Sequence, residues 1–206
     1  MKKSFASFVL FSSFFAPLHA ENTKPNIVVL LVDDMGWSDL ACYGSELKTP
    51  NLDALAKNGL RFTQFYNGAR CCPTRASLLT GLYPHQAGVG HMTEEARDEN
   101  GNVRPGYSGR LNDTSVTIAE VLGSAGYFTA MTGKWHVGQN HGVMPENRGF
   151  QRALSGVGYF PDSGKLRLIH NGKNIGPRDE PLPKEWYSSD LWPTFGLKFI
   201  DEALAE

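Results

Sequence analysis

The amino-acid sequence predicts an α/β protein in which a mixed sheet is flanked by helices. Three observations carry that expectation. Asn26-Ile27-Val28-Val29-Leu30-Leu31-Val32 is a continuously apolar run rich in β-branched residues, the pattern of a strand buried on both faces. Strand-like segments alternate with segments of helical spacing as far as Thr132. The composition, 41% hydrophobic and 20% charged over 206 residues, is that of a globular chain able to bury a substantial core.

The elements follow in order. Lys2 and Lys3, the apolar run Phe5 to Phe15, Pro17 and Ala20 have the three-part plan of a secretory signal. The apolar run is too short for a bilayer of roughly 30 Å, so residues 1–20 are expected to be a cleaved leader and 21–206 the mature part. After the strand at 26–32, Asp33 and Asp34 stand at its C-terminal end, where open α/β sheets bind ligands. Thr49 to Gly59 carries a capping threonine, a first-turn proline, helical spacing and a terminal glycine. Leu60 to Tyr66 alternates as a strand, and a second helix runs from Pro73 to a stop at Gly81.

His85 to Asn112 lacks periodicity and is rich in Gly, Glu, Asp, Asn and Arg, which predicts a long functional loop. Ser115 to Ala125 is an amphipathic helix ended by Gly126, and Tyr127 to Thr132 a strand. Leu166 to Ile169 and Gly172 to Ile175 resemble two short strands about an Asn171-Gly172 turn. Leu197, Ile200, Ala203 and Leu204 keep helical spacing up to Glu206, with neither glycine nor proline to end the helix. A net charge of -1 gives no electrostatic case for nucleic acid or an anionic membrane, so any anion affinity must be local.

The chemistry concentrates in Ala69-Arg70-Cys71-Cys72-Pro73-Thr74-Arg75. With Pro73 at the first helical position, Cys71 and Cys72 fall just outside the helix N-terminus, where free N–H groups and the dipole favour negative charge. Arg75 in the first turn can direct a guanidinium to the same place, superposing a nucleophile on an anion site. Three cysteines, Cys42 included, are too few for a disulfide scaffold, and adjacent Cys71 and Cys72 are a poor pair for each other. In Gly133-Lys134-Trp135-His136-Val137-Gly138, an extended backbone would put Lys134 and His136 on one face and Trp135 on the other.

The run from Ala69 to Gly81, together with Asp33-Asp34 ahead of Gly36-Trp37 and with the Gly133 to Gly138 hexapeptide, resembles the formylglycine-dependent sulfatases, in particular bacterial arylsulfatase-like enzymes. The resemblance covers about Pro25 to Phe150, the N-terminal part of such an enzyme. It implies an alkaline-phosphatase-like fold and a sulfuric ester hydrolase. It implies that a maturation enzyme oxidises Cys71 to Cα-formylglycine. The hydrated aldehyde offers one hydroxyl to attack sulfur, and deprotonating the second expels sulfate and restores the aldehyde. Arg75 would stabilise the hydrate, Lys134 bind the sulfate and His136 assist proton transfer. Asp33, Asp34 and the modified Cys71 would hold Ca²⁺ or Mg²⁺.

The implied substrate is a sulfated small molecule or glycan. The leader-like residues 1–20 predict a periplasmic or exterior location, and the charge balance and short apolar run predict no nucleic-acid partner and no stable membrane insertion. The family's downstream metal pair, histidine and second lysine have no counterpart that can be placed, and neither His141 nor His170 sits in a matching context. His85 and His91 are expected to be substrate-side or structural, and Arg97, Arg104 and Arg110 solvated loop charges. Two rival readings remain at this point: a phosphonate or phosphate ester hydrolase of the same superfamily, and an exported fragment lacking the rest of the site.

Overall fold

The computed structural model describes residues 24–164 and 166–205, so the expected leader at 1–20 lies outside the described residues. The chain divides into two compact units, Met1–Asp53 and Ala54–Glu206.

In the first unit, short 3-10 turns at Trp37–Asp39 and Ala41–Tyr43 follow the apolar run. Asp53 closes this region: it accepts from Cys42 N at 2.9 Å and from Thr49 Oγ1 at 3.0 Å. Residues 26–32 correct the sequence reading. They form no strand, and Val28 and Leu30 are 68% and 72% exposed. Apolar, β-branched residues declare a segment that is stable once paired and covered, but they cannot supply the pair. Helix α1, Pro50–Asn58, spans the boundary between the units and ends one residue before Gly59, as its caps predict.

The second unit is built on a four-stranded sheet, β1 (Ala130–Gly133), β2 (Arg152–Val157), β3 (Arg167–His170) and β4 (Lys173–Ile175), in that spatial order. The sheet is mixed: β1 and β2 are parallel, and β2, β3 and β4 form antiparallel pairs. The α/β class with a mixed sheet and flanking helices stands. The Asn171-Gly172 hairpin also stands, with φ of 46° and 77° at the two turn residues, the conformation that this pair of residues tolerates. Strand β2 was not foreseen; Ala153, Leu154 and Ser155 are all buried, which erases the alternation that marks a half-exposed strand. Leu60 to Tyr66 is not a strand either, and Leu60 is 89% exposed.

Two helices set up the site. Helix α2 spans Cys71–Thr80 and is stopped by Gly81 at φ 70°. Helix α3, Ile118–Ser124, starts at Thr117, whose hydroxyl accepts from Glu120 N while Glu120 returns to Thr117 N, a reciprocal cap worth about 1 kcal/mol. Helix α4, Ser188–Ala205, buries Leu191, Phe195 and Phe199 against Leu154 and Leu168 of the sheet. A second core cluster joins Cys72 and Ala76 of α2 to Ala87, Val89, Leu111, Trp135 and Val137. That second core holds the chemistry-bearing residues in place.

Candidate active site

A parallel strand pair needs a crossover of a dozen or more residues. Between β1 and β2 this crossover carries no α-helix; it begins with Lys134-Trp135-His136 and proceeds through 3-10 turns at Gln139–His141 and Pro145–Arg148. The hexapeptide therefore leaves the C-terminal end of β1, the position where α/β sheets bind ligands.

Trp135 anchors it. The indole is 4% exposed, donates from Nε1 to Val143 O at 2.8 Å and meets Phe150 edge-on at 6.0 Å. Trp135 and Val137 are inside the core, and Lys134 and His136, on either side of Trp135, are half-buried. The alternation is as expected, but its cause is not an extended strand. Strand β1 ends at Gly133, and His136 has φ 57°, a left-handed backbone that turns the chain at the imidazole.

Helix α2 also starts earlier than its proline suggests. Arg70 is the extended cap residue, Cys71 and Cys72 occupy the first two helical positions and Pro73 the third. The first intrahelical bond runs from Thr74 N to Arg70 O at 3.1 Å. Proline is tolerated anywhere in a first turn whose N–H groups have no partner inside the helix, so it fixes the turn but not the residue that begins it. The loop is pinned over the helix end: Gly68 N donates to Thr74 Oγ1 at 3.1 Å, and Ala69 takes φ 53° at a cost of about 1 kcal/mol.

The structure brings Cys71, Cys72 and His136 together, with their ligand atoms all within 4.8 Å of one another. Arg75 joins them by donating from Nη1 to the main-chain carbonyl of Lys134 at 2.6 Å. Cys71 is half-buried and Cys72 fully buried. Burial, and then the neighbouring Cys71, push the Cys72 thiol up to about 12, so it stays protonated at neutral pH. The two cysteines thus differ: the first faces the accessible side and the second belongs to the core.

Met92 was missed by sequence reasoning. Its sulfur lies 4.0 Å from Cys71 Sγ and 3.8 Å from Cys72 Sγ. It reaches them from a loop without periodicity, so no spacing rule could have found it. The same loop places His91 Nε2 at 2.8 Å from Arg70 Nη1, and His85 Nε2 at 3.0 Å from the Tyr107 hydroxyl. Arg97 is bound within the loop to Glu95 and to Gly101 O. His141 contacts Thr93 O at 2.7 Å, and His170 lies against Phe195 and Phe199. Asp33 and Asp34 belong to the first unit, at an exposed turn where Asp34 has φ 57°.

The family model described as Sulfatase matches residues 25–195. The chain is 42% identical over 200 residues to an uncharacterised sulfatase of Schizosaccharomyces pombe, covering 89% of this chain and 35% of the relative. It is 37% identical over 180 residues to an arylsulfatase of Klebsiella aerogenes, covering 84% and 38% respectively. The crystal structure of Ps i-CgsB superposes with a TM-score of 0.72 at 30% identity, covering 88% of this chain and 42% of that one. The chain thus spans about four tenths of the length of the relatives it matches.

Proposed function

The chain belongs to the sulfatase family, and from that premise we propose that the protein hydrolyses a sulfate ester to an alcohol or phenol and sulfate. The observation that carries the proposal is the meeting of Cys71 and His136 at the N-terminus of α2, with Arg75 fastened to Lys134 O.

Each residue has a role that its position supports. Cys71, half-buried at a helix N-terminus, is the residue converted to formylglycine by a maturation enzyme. The hydrated aldehyde supplies a hydroxyl that attacks sulfur and a second whose deprotonation releases sulfate. His136 brings an imidazole nitrogen within 4.8 Å of the residue 71 sulfur, which supports a role in passing a proton to or from that side chain through one water or after a small side-chain movement. Lys134 offers its ammonium to the sulfate, and Arg75 fixes the main chain of Lys134 while adding positive charge where the sulfate gathers negative charge. Asp33 and Asp34 offer the hard carboxylate oxygens that suit Ca²⁺ or Mg²⁺.

For substrate we propose a sulfated glycan or small sulfate ester. Ps i-CgsB has been crystallised in complex with k-i-k-neocarrahexaose, and a further structural neighbour is described with the metabolism of glycosaminoglycans by Bacteroides thetaiotaomicron. The leader-like residues 1–20 support export to the periplasm or exterior.

The test is mass mapping of the tryptic peptide 71–75 from protein purified from its own cells, alongside hydrolysis of p-nitrophenyl sulfate. An aldehyde at position 71, with turnover abolished in Cys71→Ala, is the expected outcome. Sulfatase turnover that survives Cys71→Ala overturns the assignment, and a phosphate ester preferred over the sulfate moves it to phosphoryl transfer.

A further inference from the structure

We propose that, while residue 71 is still a thiol, the pocket at the start of α2 binds a soft or borderline cation, Zn²⁺ or Cu⁺, through Cys71 Sγ, Cys72 Sγ and a ring nitrogen of His136, with Met92 Sδ as fourth donor. The proposal concerns the unconverted chain and does not depend on ester hydrolysis.

The donor set decides the class of ion. Two thiols, a thioether and an imidazole are soft or borderline ligands, matched to Zn²⁺ and Cu⁺ and poorly matched to Ca²⁺ or Mg²⁺, which take oxygen. The distances also suit it. Two sulfurs bound tetrahedrally at about 2.3 Å from zinc are roughly 3.8 Å apart. Here Met92 Sδ is already 3.8 Å from Cys72 Sγ and 4.0 Å from Cys71 Sγ, and the two thiols and imidazole lie within 4.8 Å of one another. Closing around an ion takes shifts of about 1 Å or less, within the reach of side-chain rotation.

The surroundings favour it as well. Cys72 is held by the core around Ala76, Trp135 and Val137, so one ligand is rigid, while half-buried Cys71 and His136 leave a path for the ion. Cys71 and Cys72 occupy the first turn of α2, where the helix dipole favours the thiolates that form. Each thiol passes its proton to solvent as its sulfur takes the metal, so two protons leave, and a divalent ion with two thiolates, a thioether and a neutral imidazole carries no net charge. Bound in this way, Cys71 is shielded from oxidants and alkylating agents.

The experiment uses the full chain produced without conversion of Cys71, its thiol verified by mass. Zn²⁺ is titrated in competition with a chromophoric chelator, and Cys71 alkylation by iodoacetamide is followed by mass mapping with and without Zn²⁺. One Zn²⁺ per chain is expected, with affinity reduced by about tenfold or more in Cys72→Ser and in His136→Asn, and with alkylation of Cys71 slowed by Zn²⁺. Asparagine tolerates the left-handed backbone at 136, so this variant is readable if Cys72→Ser fails to fold. Excess Ca²⁺ should not displace the Zn²⁺. Zn²⁺ affinity unchanged in folded His136→Asn, or binding lost on Cys42→Ser instead, overturns the proposal.

Discussion

Arg75 reaches across the second unit to donate from Nη1 to the main-chain carbonyl of Lys134 at 2.6 Å, joining residues 59 apart in sequence. The bond ties the first turn of α2 to the segment that leaves β1, so it sets the distance between residue 71 and the imidazole of His136. Arg75→Lys keeps the charge but replaces a planar fork by a shorter ammonium with different reach. It should lower kcat for a sulfate ester by about tenfold or more and reduce stability by about 1–2 kcal/mol. An unchanged denaturation midpoint together with full turnover in Arg75→Lys would show that the link to Lys134 positions nothing.

Which of these relationships were legible beforehand follows from how local each one is. The bounds of α1, the Gly81 stop of α2 and the Asn171-Gly172 turn are decided by three to five neighbouring residues, and sequence displays them, whereas the expected helix from Ser115 begins only after Thr117, at Ile118. Residues 26–32 read as a strand and are not one, because pairing is a property of two segments and only one was in view. The Cys71 helix and the Gly133 to Gly138 hexapeptide were visible as motifs. Their junction through Arg75, and the approach of Met92, depend on how a loop without periodicity packs, which no spacing encodes.

Arg148 supplies a pH-dependent test of the second unit. Its side chain is buried, donating from Nε to Glu120 Oε1 at 3.0 Å and from Nη2 to Ser115 O at 2.6 Å. Burial alone would raise the Glu120 carboxyl, but the bonds from Arg148 and Thr117 N outweigh it and hold the group below its ordinary 4.5. A depressed carboxyl contributes stability that is present above pH 4.5 and disappears as pH falls through the lower folded value. Glu120→Gln should cost about 2 kcal/mol near neutral pH, since it leaves a buried guanidinium without its counter-charge. It should also flatten the acid limb of the stability curve. An acid limb identical to that of the parent would exclude Glu120 as its source.

His170 governs a window nearer neutrality. Burial, followed by the charge of Lys198, lowers it from 6.5, while Glu202 and Glu146 act in the opposite sense. A base with a depressed folded value contributes stability above its unfolded value that is lost on acidification through the folded one. Urea midpoints of the parent should therefore fall as pH drops below 6.5, and His170→Gln should remove that slope. A slope that survives in His170→Gln places it on another histidine.

Gly149 shows how closely the backbone must approach to hold the site, and a pair of variants separates the two costs involved. Its φ is 88°, and a Cβ built there would lie 2.4 Å from Glu120 N and 2.7 Å from Glu120 Cα, both rigid parts of α3. Gly142 has a similar φ of 76° with nothing within 4 Å of its added Cβ. Gly142→Ala therefore measures the left-handed backbone alone, about 1 kcal/mol. Gly149→Ala must also drive α3 away from the turn that accepts from Thr129 Oγ1 at 2.6 Å and leads into Phe150, the residue packed edge-on against Trp135. The expected loss is about 3 kcal/mol or more, read as a thermal shift several times that of Gly142→Ala. Because Trp135 holds Lys134 and His136 on either side of it, the same variant should lower kcat at temperatures where it remains folded. Equal shifts for the two alanines would mean that the turn yields without disturbing α3, and that Phe150 is not what holds Trp135 in place.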